Sequence, residues 1–133
     1  MGLEFFDTIE QLIPVLRGED QHMREAGHIV AQSIMRGGIL QAFGSGHSAA
    51  SAMEICGRAG GLIPSKQIKE PSGGLYERIE GVGTAFAETW DLRKEDCLFL
   101  ISNSGRNPLI IEMALAARAV GAPIVAVTAL EVG

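Results

Sequence analysis

Residues 1–36 alternate apolar and polar positions with the period of an α-helix. Apolar residues recur at intervals of three and four over positions 3–17 and again over 19–36, which predicts two amphipathic helices separated near Gly18. Pro14 lies inside the first pattern and has no backbone N–H, so we expect a kink or a restart of the helix there. We assign residues 1–36 to a helical region that serves packing or self-association.

From residue 37 onward, short apolar runs alternate with helical patterns. Four runs predict strands, and they span 39–43, 62–68, 97–102 and 124–130. Three helices are predicted between them, over 48–59, 84–90 and 108–120. Pro64 places the second strand at a sheet edge, because proline cannot donate a ladder hydrogen bond. The alternation predicts a parallel sheet in a three-layer α/β/α sandwich.

Composition and charge narrow the classes of partner. The chain has 133 residues, 47% of them hydrophobic, and a net charge of −5, which predicts one folded domain that repels a nucleic-acid backbone. No apolar stretch approaches the ~20 residues needed to cross a bilayer, and the N-terminus lacks a signal-peptide pattern. We therefore expect a cytoplasmic protein with no nucleic-acid or membrane partner.

The two cysteines and the end of the chain carry further expectations. Cys56 and Cys97 stand in apolar surroundings without metal-ligand spacing, which predicts reduced thiols and no metal site. The last predicted strand is followed by only three residues. Because a parallel strand needs cover on both faces, we expect residues 37–133 to form a C-terminally incomplete domain, or one completed by self-association.

Two polar loops carry the candidate chemistry. Gly44, Ser45, Gly46, His47 and Ser48 form loop one (residues 44–48), and loop two (residues 102–107) contains Ser102, Asn103, Ser104, Gly105, Arg106 and Asn107. Each loop joins a strand to a helix, so hydroxyls and backbone N–H groups converge where the helix dipole is positive. The pair predicts a phosphate cradle at the carboxyl edge of the sheet.

Other interpretations of these loops exist. Either loop alone is also compatible with an ordinary strand-to-helix turn. Gly44-Ser45-Gly46 begins a dinucleotide-binding fingerprint, but position 49 is Ala and the acidic residue of that fingerprint is absent. A Walker A loop is excluded because no Gly-Lys-Ser/Thr follows, and the Gly-x-Ser-x-Gly pattern of hydrolases is absent. Nucleotide or dinucleotide binding stays as a third alternative.

The segments FGSGHSAASAMEICGRAGG and LFLISNSGRNPLIIEMALAARAVGAPIVAVTAL resemble the sugar isomerase (SIS) domain family of phosphosugar-binding proteins. The resemblance is closest to a bacterial group of uncertain substrate and extends more distantly to phosphoheptose isomerases. It implies a flavodoxin-like parallel sheet and homodimers or homotetramers with shared sites. It also implies phosphate binding by Ser102, Ser104 and Asn107, with Ser45 and Ser48 contributing from loop one. Many family members have Thr at the position of Asn107.

The resemblance also implies catalytic roles for aldose-ketose isomerisation through an enediol, without a cofactor. Glu54 precedes a Gly-Arg pair as the base carboxylate of phosphoheptose isomerases does, which makes Glu54 the expected general base and Arg58 its partner. His47 is expected to donate to a sugar oxygen. The alternatives are a surface Glu54–Arg58 pair and a purely polar role for His47, and Glu70 is a further candidate for the mouth of the site.

No histidine follows position 47, so a second acid-base group is missing from this chain or supplied by a partner. The sequence therefore favours a phosphosugar-binding domain that acts as a sugar-phosphate isomerase. The alternative is a non-catalytic sensor that binds a phosphosugar through the same loops.

Overall fold

The computed structural model describes residues 2–129 of the chain. Its helices are α1 (Gly2–Gly18), α2 (Asp20–Met35), α3 (Ser48–Gly57), α4 (Val82–Ala87) and α5 (Pro108–Val120). Its strands are β1 (Leu40–Gly44), β2 (Ser65–Gln67), β3 (Cys97–Ile101) and β4 (Ile124–Val127). The described residues include no helix with the length and apolar composition needed to cross a membrane.

The four strands form one parallel sheet in the order β2-β1-β3-β4. The two central strands are the most apolar, and every residue of β1 is buried, as expected for strands covered on both faces. β2 has only three residues and lies at an edge directly after Pro64, which agrees with the position predicted from that proline. The α/β fold predicted from the sequence is confirmed.

Alternate side chains of the central strands pack into two apolar cores. Phe43, Leu98 and Leu100 belong to the core that contains Leu109 and Met113 of α5. On the opposite face, the core contains Leu40, Ala42 and Ile101 of the strands and Ala52 of α3, with Val30 of α2 against it. This alternation is the period of two expected for strands, and it gives the three-layer arrangement.

The N-terminal edge of the sheet is held by Asp96, a fully buried residue. Its carboxylate accepts hydrogen bonds from the backbone N–H groups of Ile39 and Arg93, from Gln41 Nε2 and from Arg93 Nη2. Burial acts to raise the pKa of Asp96, but these donors outweigh it and the pKa is lowered. The ionised carboxylate therefore ties β1 and β3 together at their starting ends.

Several boundaries differ from those predicted. α1 continues through Pro14 without a restart, because α1 is exposed and water can satisfy the carbonyl that the proline cannot serve. α4 begins at Val82 rather than 84, since the Glu112 carboxylate accepts hydrogen bonds from the N–H groups of Gly81 and Thr84. β4 ends at Val127, and the predicted end of this strand at residue 130 lies outside the described residues.

Both cysteines are free, as the sequence predicted. Burial raises the pKa of the Cys97 thiol to about 11 and also raises that of Cys56. Both thiols are therefore protonated at neutral pH, and low nucleophilicity follows from that.

Candidate functional site

Loops one and two lie side by side at the carboxyl edge of the sheet, because the strands that precede them, β1 and β3, are neighbours. Between them is a cleft of about 470 Å³. Predicted site residues that line it are Ser45, Gly46, His47, Ser48, Ser102, Asn103, Ser104 and Asn107. The structure thus brings together eight of the residues singled out from the sequence.

Loop two is held by its own serines. Ser102 Oγ accepts a hydrogen bond from the backbone N–H of Gly105 at 3.0 Å, and Ser104 Oγ accepts one from the N–H of Arg106 at 3.3 Å. Gly105 has a φ of +63°, a conformation that glycine adopts without strain. Since each hydroxyl acts as an acceptor within the loop, its own hydrogen remains free to donate to a ligand oxygen.

Loop one is built on close backbone approach. A Cβ at Gly44 would overlap the carbonyl group of Ser48, so the turn into α3 needs glycine there. Backbone hydrogen bonds from Ser48 to Ser45 and from Ala49 to Gly46, each 3.1 Å, close the turn. Ser45 Oγ is buried and has no hydrogen-bond partner within the described part of the chain. Loop one therefore contains a polar atom that the protein does not itself satisfy.

The first turns of α3 and α5 face the cleft from the two loops. His47 and Asn107 stand at the N-cap positions, and neither side chain makes a capping hydrogen bond. The side-chain amide of Asn107 is therefore not engaged in capping α5. A helix start whose backbone N–H groups are not capped by a side chain favours an anionic ligand.

Residues 70–79, which we call the cover segment, contact loop one and the first turn of α5. A Cβ at Gly74 would lie 2.8 Å from Gly46 N and 3.2 Å from Ser45 Oγ, so the bare backbone of Gly74 lies directly on loop one. At its other end, the carbonyl of Glu77 accepts a hydrogen bond from Leu109 N in the first turn of α5, at 3.1 Å. The cover segment thus connects loop one to the helix that follows loop two.

Glu70 holds the cover segment in shape. Its carboxylate accepts hydrogen bonds from the backbone N–H groups of Ser72 and Gly74, at 2.6 and 2.8 Å. Burial acts to raise the pKa of Glu70, but hydrogen bonds from Ser72 and Gly74 outweigh it and the pKa is lowered. The sequence placed Glu70 near the mouth of the site, and in the structure its carboxylate is engaged by the backbone of the cover segment.

The cover segment also contributes two lining residues that sequence analysis missed, Glu77 and Arg78. Together with His47 they are the ionisable side chains among those lining the cleft. Residues 69–83 show no hydrophobic period in the sequence, and their proline and glycines predict only a loop. Their placement depends on contacts with residues far away along the chain.

Other predicted site residues lie outside the cleft of this chain. The side chains of Glu54 and Arg58 are 65% and 68% exposed, and they face each other across 3.9 Å on the surface of α3. Arg106 is exposed, and its backbone N–H donates a hydrogen bond to Ser104 Oγ. Gly44 and Gly105 do not line the cleft, but they permit the close approach and the positive φ on which the two loops depend. The roles predicted for Glu54, Arg58 and Arg106 stay predictions.

A larger groove, of about 640 Å³, lies at the opposite edge of the sheet. Arg36, Lys94 and Arg118 line it, together with residues at the C-terminal ends of α2 and α5. The dipole at a helix C-terminus disfavours an anion, and this groove has no loop like those at 44–48 and 102–107. The described residues also contain no group of three or more His, Cys, Asp and Glu that could hold a metal ion.

Comparison with known proteins decides the family. The model of the SIS domain family matches residues 4–129, which cover nearly all of the chain. The chain belongs to the SIS domain family. The resemblance found in the two loop segments is therefore confirmed, and the match includes the two N-terminal helices of this SIS domain as well as the sheet.

The sequence relatives are UPF0309 proteins of bacteria. One from Listeria monocytogenes is 52% identical over 132 residues, covering 98% of this chain and 56% of that protein. Another, from Geobacillus kaustophilus, is 41% identical and covers 96% of this chain and 55% of that protein. The chain thus spans about half the length of the curated relatives it matches.

Solved structures share the fold at lower sequence identity. The phosphoheptose isomerase GmhA from Neisseria gonorrhoeae superposes with a TM-score of 0.72 at 22% identity, covering 96% of this chain and 75% of that one. A phosphoheptose isomerase from Francisella tularensis gives a TM-score of 0.71 at 16% identity, with the same coverage. At these identities the likeness concerns the fold.

Proposed function

We propose that this SIS domain binds a phosphorylated sugar in the cleft between loops one and two and interconverts its aldose and ketose forms. The observation that supports the proposal is the convergence of two serine loops and two helix starts on one cleft. Ser102 and Ser104 offer hydroxyl hydrogens there, and the start of α5 offers a favourable dipole. A phosphate group fits this combination of donors.

The sugar carbons of the bound molecule extend from loop two toward loop one. The cleft volume of about 470 Å³ is within the range of small-molecule sites. Ser45, Ser48 and His47 are then close to the sugar oxygens. The two neighbours of known fold are phosphoheptose isomerases, which supports a sugar phosphate as the class of ligand.

The homodimer or homotetramer expected from the resemblance stays a prediction. Its support is the surface of α1, which has no buried residue and exposes large apolar side chains. Phe5, Phe6, Leu12 and Leu16 are each about half exposed or more. An exposed apolar surface of this kind is typical of protein interfaces.

A ligand screen tests the proposed function. Thermal unfolding of the chain is measured with hexose, heptose, pentose and amino-sugar phosphates, with the corresponding free sugars, and with NAD and ATP. We expect stabilisation by at least one sugar phosphate, of about 2.7 kcal/mol at a concentration of 100 times Kd, and none by the free sugars. Ser104→Ala should weaken that binding about tenfold or more, because a hydrogen bond to a charged group is lost.

The matched control is Ser51→Ala, which removes an exposed hydroxyl from α3 outside the cleft and should leave affinity unchanged. Stabilisation by NAD or ATP alone, with the affinity of the Ser104→Ala variant unchanged, would contradict the proposal and favour nucleotide binding. Sugar-phosphate binding without conversion by the unaltered chain would support the sensor alternative.

A further inference from the structure

Isomerisation through an enediol requires a base that removes a proton from the carbon next to a carbonyl. Carboxylates are suited to this step, and the sequence resemblance pointed to Glu54. Glu54 lies two residues after Ala52, which is fully buried against the sheet. Two residues correspond to about 200° around a helix, so Glu54 projects to the side of α3 that faces away from the sheet.

Glu77 lies in the cleft of this chain, which Glu54 does not line. It is the carboxylate among the side chains that line the cleft. Its oxygen Oε2 lies 3.8 Å from the position that a Cβ would take at Gly46, which places the carboxylate against loop one. The phosphate cradle of loop two and the Glu77 carboxylate are therefore on different sides of one cleft, as the two ends of a bound sugar phosphate require.

Glu77 is also positioned and uncommitted. Its backbone carbonyl accepts the hydrogen bond from Leu109 N, which anchors the residue to the start of α5. The residue is half-buried, and its carboxylate has no ion-pair or hydrogen-bond partner in the part of the chain that the structure describes. By contrast, Glu54 faces Arg58, and Glu70 and Glu112 accept backbone N–H groups.

We propose that Glu77 is the catalytic residue that transfers the proton in the cleft, an inference that rests on the proposed function. The Glu77 carboxylate takes the proton from the carbon that bears the hydroxyl, and the electron pair of that C–H bond forms the C=C bond of the enediolate. The carboxylic acid then returns the proton to the neighbouring carbon, while a proton moves between the two sugar oxygens. No oxidant, reductant or metal is needed for this balance.

Deuterium exchange tests the inference directly. The chain is incubated in D2O with ketose phosphates of five, six and seven carbons, and incorporation of deuterium next to the carbonyl is followed by NMR. Affinity for the same compounds is measured in parallel by calorimetry. We expect Glu77→Gln to slow the exchange at least about 100-fold while its Kd stays within about threefold, because the amide keeps the size of the side chain.

Glu80→Gln is the matched control, since Glu80 is exposed three residues further along and does not line the cleft. Its exchange rate should equal that of the unaltered chain, and the melting temperatures of both variants report on folding. Exchange that survives in Glu77→Gln but is lost in Glu54→Gln overturns the inference. The inference is also overturned if the unaltered chain binds a ketose phosphate without any deuterium exchange. In that case the proposal that the cleft binds a phosphorylated sugar still holds. If no ketose phosphate binds, the proposed function fails, and the role of Glu77 fails with it.

Discussion

Loops one and two have the same place in the fold but different internal structure. In loop two, Ser102 and Ser104 already accept backbone hydrogen bonds, so the hydroxyls are held in position before any ligand arrives. In loop one, Ser45 Oγ is buried without a partner, and the loop is covered by Gly74 of another segment. Loop two is thus complete within six residues, whereas loop one depends on the cover segment.

Under the proposed function, the difference predicts separate roles for the two halves of the cleft. A pre-organised loop loses little conformational entropy on binding, which suits recognition of the phosphate common to many sugars. A loop completed by a segment from elsewhere in the sequence brings in groups such as Glu77, which suits recognition and chemistry of the sugar itself. The following changes separate the two halves.

The largest effect is expected for Gly74→Ala. Gly74 has a φ of +92°, and the added Cβ would lie 2.8 Å from Gly46 N, so the cover segment has to move away from loop one. We expect at least a tenfold loss of affinity for the sugar phosphate, measured by calorimetry. Gly73→Ala is the control, because Gly73 also has a positive φ, +65°, but has open space around it.

Both variants should therefore lose about 1–2 kcal/mol of stability from backbone strain, while only Gly74→Ala should lose affinity as well. Equal affinities for the two variants would show that the contact between Gly74 and loop one does not shape the site.

An intermediate effect is expected when a serine is replaced in the ligand-free protein. The free energy of unfolding should fall for a replacement in loop two but not for one in loop one. Ser102→Ala leaves the N–H of Gly105 without its acceptor and should lower the free energy of unfolding by about 1–3 kcal/mol. Ser45→Ala removes a buried hydroxyl that has no partner, so its stability should equal or exceed that of the unaltered chain. Urea unfolding without ligand measures both, and destabilisation of Ser45→Ala by more than about 1 kcal/mol would contradict the contrast.

The smallest effect is expected on the stability of the cover segment and of α4, which should decrease in acid. The pKa of Glu70 is lowered by its hydrogen bonds from the segment, and backbone N–H groups of Gly81 and Thr84 lower that of Glu112. Each carboxylate therefore stabilises the fold fully above 4.5, its ordinary pKa, and this contribution is lost as the pH falls through the lowered value.

Melting temperatures measured across this range test the dependence. Glu70→Gln should be less stable than the unaltered chain at neutral pH, and the difference between the two should shrink in acid. A difference that stays constant with pH would remove Glu70 from this role.

Much of the fold followed from local patterns in the sequence. Strands β1 and β3 are short apolar runs, and loops one and two combine glycine and serine at the points where such runs end. Because parallel strands present their carboxyl ends at the same edge, two loops after neighbouring strands had to meet there. The start of α5 after Asn107 and its end at Gly121 were also predictable from single residues.

The cover segment was not predictable, because its conformation is determined by distant residues. The backbone of Gly74 packs against Gly46. The carbonyl of Glu77 accepts a hydrogen bond from the N–H of Leu109, 32 positions later in the sequence. Neither contact leaves a periodic pattern in residues 69–83. For Glu54, the resemblance to phosphoheptose isomerases implied a role, which stays a prediction. The direction in which Glu54 faces could not be predicted, because the rotation of α3 about its axis depends on which side chain, here Ala52, packs on the sheet.

The contact between Gly46 and Gly74 has a consequence for how this cleft could change during evolution or design. Both positions have a positive φ, which disfavours residues other than glycine. A Cβ at Gly74 would also overlap the backbone of Gly46, whereas a Cβ at Gly46 would meet only Glu77 Oε2, at 3.8 Å. The width of the cleft at loop one is therefore set by two backbones in contact. A side chain at either position is strained by the positive φ, and one at Gly74 also displaces loop one. We therefore expect new specificities to arise by exchanging loop one and the cover segment together.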